Sequence, residues 1–546
     1  MAYPLLQRHF PWLLLFGILL NVPGLWLDVM EPDSALYATI AKRIAEHNDW
    51  SNLFVDGHEW LDKPHFPFWM AAISYKIFGV TGFAYKVPSF IFWLAGLWYT
   101  YVTARDLFNV SVAQLSVLIY AVALHSSLGN FDVRAEPYLT TCIIAAIWHM
   151  LNVYHRKHWI HIVAAAFFTA AAIMTKGIFV LITIGGGWVI FWAIAGEWKQ
   201  FLNYRWYLFL VLSFIFILPE LYSLYVQFDM HPEKIVFGRT HVSGLKFFFW
   251  DSQFGRFFNT GPIKGRGSLL FFVHTTLWAF LPWSIGLVAG IVYLIRYDKK
   301  REPVRWVIYG SALVTFLLFS LSKFQLPHYI VIVFPYFSII TAYFLYEQAN
   351  RGGLRYFSLA QTVILLLTGA LALWLLYFTG IKQGIVSTVE IIVILILGVF
   401  GRTPDQLQQL VFRGYATAAV MYVFLFFNFY PFLLQYQSGR QAARILEGKN
   451  LPAATYKTPY AHAFEFYAPG DVNVIGNIDS LSRFLGTRPC VLYTTPAVND
   501  SLTKAGVQTS IVARPDHFHI TRLKREFLSP KTRSETVEQR YLLYIK

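Results

Sequence analysis

Charge is what this sequence has least of. Of its 546 residues, 45 are Lys or Arg and 30 are Asp or Glu, 14% of the chain, against about 25% in a soluble protein. Apolar residues reach 56% and aromatics 18%, which leaves too little polar surface to cover the three or four soluble domains that a length of about 150 residues per domain would otherwise imply. Cysteine is nearly absent. Cys142 falls in an apolar stretch and Cys490 in the polar C-terminal part, which excludes a disulfide framework and any metal-type cysteine spacing. What remains is an integral membrane protein. Its excess of 15 positive charges would suggest nucleic acid in a soluble chain, but here their position along the sequence decides their meaning. No nucleic-acid partner is expected.

Apolar stretches able to cross a bilayer core need roughly 20 residues. Thirteen are read, at 9–29, 84–104, 111–128, 135–154, 159–175, 177–195, 206–226, 268–295, 306–322, 326–346, 356–379, 384–400 and 411–434. Residues 162–195 form one run interrupted only by Lys176, too long for a single helix at about 1.5 Å per residue. A turn is therefore expected at Thr175-Lys176-Gly177, and another near Lys323 to Pro327. The first stretch reads as a retained anchor, because no small-residue cleavage site follows Leu25-Trp26-Leu27.

Every second loop is basic. One set holds Arg8, Arg105, Arg156-Lys157, Lys199 with Arg205, Arg296 with Lys299-Lys300-Arg301-Arg305, Arg351 with Arg355, and Arg402 with Arg413. By the positive-inside rule these loops and the amino terminus are cytoplasmic. The alternate segments, 30–83, 227–267 and the tail, then face outward. This gives an all-α transmembrane domain over 1–435 and an extracytoplasmic α/β domain over 436–546, in a protein of the cytoplasmic (inner) membrane with a periplasmic tail. In the tail, 454–456, 463–467, 472–475, 491–493, 508–512 and 541–545 read as strands, with helices at 480–484 and 496–504.

Ionisable residues at span ends are costly and mark functional sites by default. On the outward side they are Glu31 and Asp33, Asp62-Lys63, the trio Asp132, Arg134 and Glu136, Lys176, and Lys323 with His328 and Tyr329. Their concentration on one face suggests a single cavity. Each also has a plainer reading. Asp33 opens a stretch in which Leu36, Ile40 and Ile44 recur at helical spacing, so it is equally an N-cap of an interfacial helix. Asp62-Lys63, preceded by a second interfacial segment, reads as a solvated ion pair. Asp132, Arg134 and Glu136 can neutralise one another, although their spacing favours aiming a carboxylate into the cavity. Lys176 must snorkel to the headgroups or meet an anion. His231, His241 and His274 are too scattered for a metal site.

Carboxylates beside lone lysines at headgroup height suit a membrane-borne phosphate: lysines hold the phosphate and offset leaving-group charge, and a carboxylate takes a proton from an acceptor hydroxyl. Polyprenyl-phosphate sugars are such donors. With no Gly-rich loop, a nucleotide-sugar donor is disfavoured. The competing class is a polyprenyl-lipid or ion-coupled transporter or flippase, but no internal repeat is seen and the charges sit at outer ends, away from the midplane.

Pro32-Asp33 with Tyr37, Asp62-Lys63-Pro64, Arg134-Ala-Glu136-Pro-Tyr-Leu139, Thr175-Lys176-Gly177 and Leu326-Pro327-His328-Tyr329 followed by Pro335 resemble the GT-C glycosyltransferases. Phe248-Phe249-Trp250 with Arg256-Phe257, and Leu281-Pro282-Trp283, add to the likeness. The branch most resembled joins the aminoarabinose transferase of lipid A with bacterial protein-mannosyltransferase-like enzymes. The resemblance spans most of residues 25–340, and the family's own plan is a similar thirteen spans with an outer tail domain. It implies Asp33 as catalytic carboxylate, Lys63 and Lys176 as phosphate contacts, Glu136 or Asp132 as the acidic position before span four, and Tyr329 lining the donor cavity. Tyr37, Arg134 and Lys323 complete the substrate-binding set. Asp62 takes a position at which the family places a metal contact, whereas Gln253 replaces the family's histidine and argues against a divalent metal; no cofactor is assigned. Ser34, Leu36 and Gln325 also depart from the pattern, around sugar and acceptor, so neither aminoarabinose nor lipid A is assumed. The expected partners are a polyprenyl-phosphate sugar, a lipid, glycan or protein acceptor, and membrane lipids, with the chain a monomer. Inversion at the anomeric carbon is implied by the family alone.

Overall fold

The structure, a computed structural model, describes residues 4–156, 158–298, 302–381, 384–449 and 451–546. Lys157 and Lys299-Lys300-Arg301, expected in basic loops, lie outside the described residues. The protein is mostly helical, and helices overlie each of the thirteen apolar stretches. Seven of them are long and apolar enough to cross a membrane as single spans, eight if one bent pair is counted together. The chain is thus a multi-pass membrane protein.

Burial separates the centre of the bundle from its rim. Pro327–Asn350 has 94% of its apolar window enclosed, against 28% for Arg355–Thr379 and 22% for Arg8–Trp26. The rim helices turn large side chains such as Leu367, Trp374 and Tyr377 outward, as a surface bathed in hydrocarbon permits.

Two breaks shape the end of the bundle that carries Lys176, Asp132 and Arg134. Trp159–Lys176 stops at Gly177, whose φ of +104° lies in the region open to glycine. A Cβ there would collide with the side-chain amide of Gln253. The next helix, Val180–Ala195, runs back, so the expected turn at 175–177 leaves Lys176 as the last residue of a helix. Between Val110–Ala121 and Leu124–Phe131 the axis bends by 54°, where the sequence reading had one straight span over 111–128. The break carries the chain into Asp132 and Arg134 before Glu136–Arg156 begins.

The first outer segment also differs from expectation. Asp33–His47 is a helix with Ile40 and Ile44 buried and Leu36 half-buried, but the interfacial segment expected before Asp62 is a short hairpin, Phe54–Val55 paired with His58–Glu59. A helix follows Asp62 at Phe66–Phe78.

Toward the C-terminus lies a five-stranded sheet. Ala453–Tyr456 pairs in parallel with Val472–Ile475 and with Cys490–Thr494, and Tyr541–Ile545 runs antiparallel between Cys490–Thr494 and Thr509–Ala513. Helices Ile478–Leu485 and Pro496–Lys504 accompany it. The stretch 463–467, expected as a strand, is the helix His462–Tyr467. It packs on Asp33–His47, and the contacts explain the difference: the Thr39 hydroxyl donates to the His462 carbonyl, and the buried Lys42 ammonium donates to the carbonyls of Glu465, Phe466, Ala468 and Gly470. A five-residue alternation fits either element, and these partners favour the one whose carbonyls end at a cation.

Candidate active site

Two adjoining chambers open at the end of the bundle where the ionisable residues gather. The smaller, of about 510 Å³, is lined by Asp33, Tyr37, Asp62, Lys63, Arg134, Glu136, Lys176 and Tyr329, together with Trp60, His328 and their neighbours. The larger, about 950 Å³, has mainly apolar walls, among them Leu61, Ile143, Phe179, Val180 and Leu224. Asp62, Lys63, Lys176, Phe324 and Tyr329 belong to both. A charged chamber and an apolar one therefore share a wall of charged residues.

In the charged chamber every cation is matched. Asp33 is the first residue of its helix but does not cap it, since Pro32 holds the cap position. Its carboxylate instead accepts from the Arg134 guanidinium at 2.6 Å, which removes the capping reading. Arg134 also donates to Asp132 at 2.9 Å and lies 3.4 Å from the His328 ring. Lys176 donates to Glu136 at 2.9 Å and sits 3.6 Å above the Tyr329 ring, so it meets an anion and a π face and does not snorkel. Lys63 pairs with Asp62 at 2.8 Å, and Arg256 grips the same carboxylate. This pair is mostly enclosed, with side chains 12% and 20% exposed, unlike a solvated surface pair. Burial works against charge on Lys63, but Tyr37, Tyr329, Glu136 and Asp33 outweigh it and raise its pKa. Burial pushes the Asp132 carboxyl up, against the pull of Arg134.

Nine of the ten residues read from the sequence are gathered here, eight as lining and Asp132 behind Arg134. Lys323 is not. Its side chain is exposed, and the turn it occupies sends Phe324 and Leu326 inward instead. Arg256 and His328, quoted in the motifs but given no role there, also line it. Glu220 is fully buried against His65 at 3.0 Å and faces the apolar chamber. A lone carboxylate inside an apolar span was its available signal.

Residues 62–222 match the family model described as dolichyl-phosphate-mannose-protein mannosyltransferase. An uncharacterised protein of Aquifex aeolicus is 26% identical over 381 residues, 67% of this chain and 68% of that one. The undecaprenyl phosphate-alpha-4-amino-4-deoxy-L-arabinose arabinosyl transferase of Pseudomonas aeruginosa (strain UCBPP-PA14) is 24% identical over 347 residues, 60% of this chain; the match spans 58% of the transferase's length. Among solved structures, ArnT from Cupriavidus metallidurans bound to undecaprenyl phosphate superposes with a TM-score of 0.75 at 17% identity, covering 99% of this chain and 98% of that one. The chain has the same fold as that structure.

Among the described residues, the metal contact that the resemblance implies at Asp62 has no suitable ligand set. Asp62 is taken by Lys63 and Arg256. Gln253 donates its amide to the Lys176 carbonyl and to Ser252, and two cations beside one carboxylate repel a third.

Proposed function

We propose that the protein is an integral-membrane glycosyltransferase that moves a sugar from a polyprenyl-phosphate donor to a lipid, glycan or protein acceptor. The observation that carries this reading is the shared wall of the two chambers. An amphipathic donor needs an apolar room for its chain and cations at its phosphate, and Lys63 and Lys176 stand where the two rooms meet, with Arg256 beside them in the wall of the apolar one. The matches to transferases favour this reading over a transporter. The same proposal carries the finer topology: thirteen spans, a cytoplasmic amino terminus, and a periplasmic α/β domain over 436–546.

The chemistry is a displacement at the anomeric carbon. The acceptor oxygen forms a bond to that carbon as the carbon–oxygen bond to phosphate breaks, and polyprenyl phosphate leaves with the electron pair. Asp33 takes the acceptor's proton. In the ion-paired arrangement Asp33 is held by Arg134 and Lys176 by Glu136, so binding an anionic donor means exchanging partners. The phosphate draws Lys63 and Lys176, and Asp33 turns to the acceptor. Tyr37, packed edge-on against Phe68 at 5.3 Å, and Tyr329 shape the sugar's surroundings.

The test is turnover in proteoliposomes supplied with polyprenyl-phosphate-linked pentose, aminopentose or hexose, with lipid A-like, glycan and peptide acceptors, read by mass spectrometry. Wild type is expected to release polyprenyl phosphate with one donor class. Asp33→Asn should lose about 10²–10⁴-fold in rate, the share general-base catalysis supplies, with an unchanged melting midpoint. Full turnover by Asp33→Asn would remove it as the base. Donor crossing the bilayer unchanged would replace the transferase reading with a transporter.

A further inference from the structure

A second cluster of titratable groups lies outside the cavity, where the sheet-bearing tail meets the helix that begins at Asp33. Asp56, His462 and Glu465 each bring one ligand atom within 4.8 Å of the others. Asp56 occupies the two-residue turn of the Phe54–Glu59 hairpin, where Asp56 has φ +58° and Gly57 φ +75°. Both central residues in the left-handed region make this the tight hairpin turn whose geometry fixes strand register, so the carboxylate is presented from a constrained backbone. His462 and Glu465 lie three apart on one helical face. Their approach, Nδ1 to carboxylate oxygen, is 3.3 Å. Two zinc–ligand bonds of ~2.0–2.1 Å at a tetrahedral angle place their ends at a similar separation, roughly 3.3–3.4 Å.

The carboxylates of this cluster lack direct cationic partners. Glu31, buried two residues before Asp33, accepts from the Ala463 N–H at 2.7 Å and feels both His462 and Glu465. Three carboxylates thus surround one imidazole. Among the described residues no lysine or arginine is ion-paired with Glu31, Asp56 or Glu465. Lys42 spends its ammonium on backbone carbonyls, and Arg540 pairs with Glu538. The Asp56 and Glu465 carboxylates are thus left without a lysine or arginine in contact, and a divalent ion met by them and the His462 imidazole gives all three ligand atoms a partner.

We infer that Asp56, His462 and Glu465 form a divalent transition-metal site, of the type that takes Zn²⁺, which clamps the tail onto the hairpin that follows the helix carrying Asp33. The imidazole ligand separates this from a Ca²⁺ or Mg²⁺ site, whose ligands are oxygens. Three protein ligands leave one position for water. The ion ties the hairpin of the first outer segment to the His462 helix, and through the Glu31 contact it bears on the backbone entering Asp33. The site takes no part in sugar transfer chemistry, and its existence does not depend on the transferase reading.

The test is metal binding by the full-length protein in detergent, stripped with chelator and titrated with Co²⁺ and Zn²⁺. One equivalent of Co²⁺ per chain is expected, with the visible absorption of a tetrahedral nitrogen–oxygen site, displaced by Zn²⁺. Asp56 is exposed on its turn, so Asp56→Asn tests the site without disturbing the core. It should weaken binding by at least about tenfold, the lower end of what even an outer-shell contact contributes. Glu465→Gln should do the same, and Zn²⁺ should raise the melting midpoint of wild type but of neither variant. Absence of a stoichiometric site in wild type, or undiminished affinity in Asp56→Asn, would overturn the assignment and leave a buried His462–Glu465 pair.

Discussion

The cavity and the tail joint are both built from scarce charges at one end of the molecule, yet they are balanced differently. In the cavity Asp33, Asp62 and Glu136 line the same walls as Lys63, Arg134 and Lys176, and each carboxylate has its own cation. At the joint Glu31, Asp56 and Glu465 face one imidazole. A neutral cluster suits a site that must exchange partners as an anionic substrate comes and goes, because each broken ion pair is replaced by another. A cluster short of positive charge suits a permanent guest. The difference teaches that pairing, more than the number of ionisable groups, separates a working cavity from a fastening.

After the loss of turnover at Asp33, the largest expected effect comes from breaking the balance in the cavity. Lys176→Met removes a cation that holds Glu136 and, in the proposed reaction, the donor phosphate. A charged hydrogen bond contributes about 1.5–3 kcal/mol, so KM for the donor should rise roughly 10- to 100-fold. Because the variant strands a carboxylate that is 4% exposed, Lys176→Met with Glu136→Gln should recover the wild-type melting midpoint without recovering donor affinity. Wild-type KM in both would move phosphate recognition to Lys63 and Arg256.

The contrast was only partly legible in the sequence. Long apolar runs survive as helices because hydrocarbon forces the backbone to satisfy itself, and scarcity made the charged residues of the cavity conspicuous. Pairing was hidden. Nothing near Asp33 announces Arg134, nor does Asp62 announce Arg256, since both partners arrive from distant segments. His462 and Glu465 escaped notice because the alternation in Ala463-Phe464-Glu465-Phe466-Tyr467 reads as a strand, and a strand would have turned them to other surroundings. The bend at Val122-Ala123 falls inside continuous apolar sequence, where hydropathy carries no signal.

The joint has a pH signature that sharpens the comparison. Burial pushes the Glu31 carboxyl up from 4.5 to about 7 in the folded protein. A raised folded pKa contributes stability that is complete below the unfolded value and is lost as pH rises through the folded one. Metal-stripped protein should therefore become less stable between about pH 4.5 and 7, with a slope of at most one proton, about 1.4 kcal/mol per pH unit. Glu31→Gln keeps an oxygen for the Ala463 N–H and should flatten that slope. Bound Zn²⁺ should flatten it as well, by letting the carboxylate ionise beside a cation. An equal slope in Glu31→Gln would assign the titration to another group.

The smallest effect is expected at Lys323, which separates proximity in sequence from membership of the cavity. Its N–H donates to the Phe257 carbonyl, and its backbone packs against Gly265 so closely that a Cβ there would sit 2.8 Å from the Lys323 carbonyl. Substitution of the side chain leaves both contacts intact. An exposed ammonium with no carboxylate in reach among the described residues contributes no more than a surface charge does, ~1 kcal/mol or less, so Lys323→Ala should change donor KM by no more than ~5-fold. If KM instead rises as far as in Lys176→Met, the 323–326 turn must reorient when donor binds and bring a fourth cation to the phosphate, and the balance of three carboxylates against three cations would describe only the donor-free cavity.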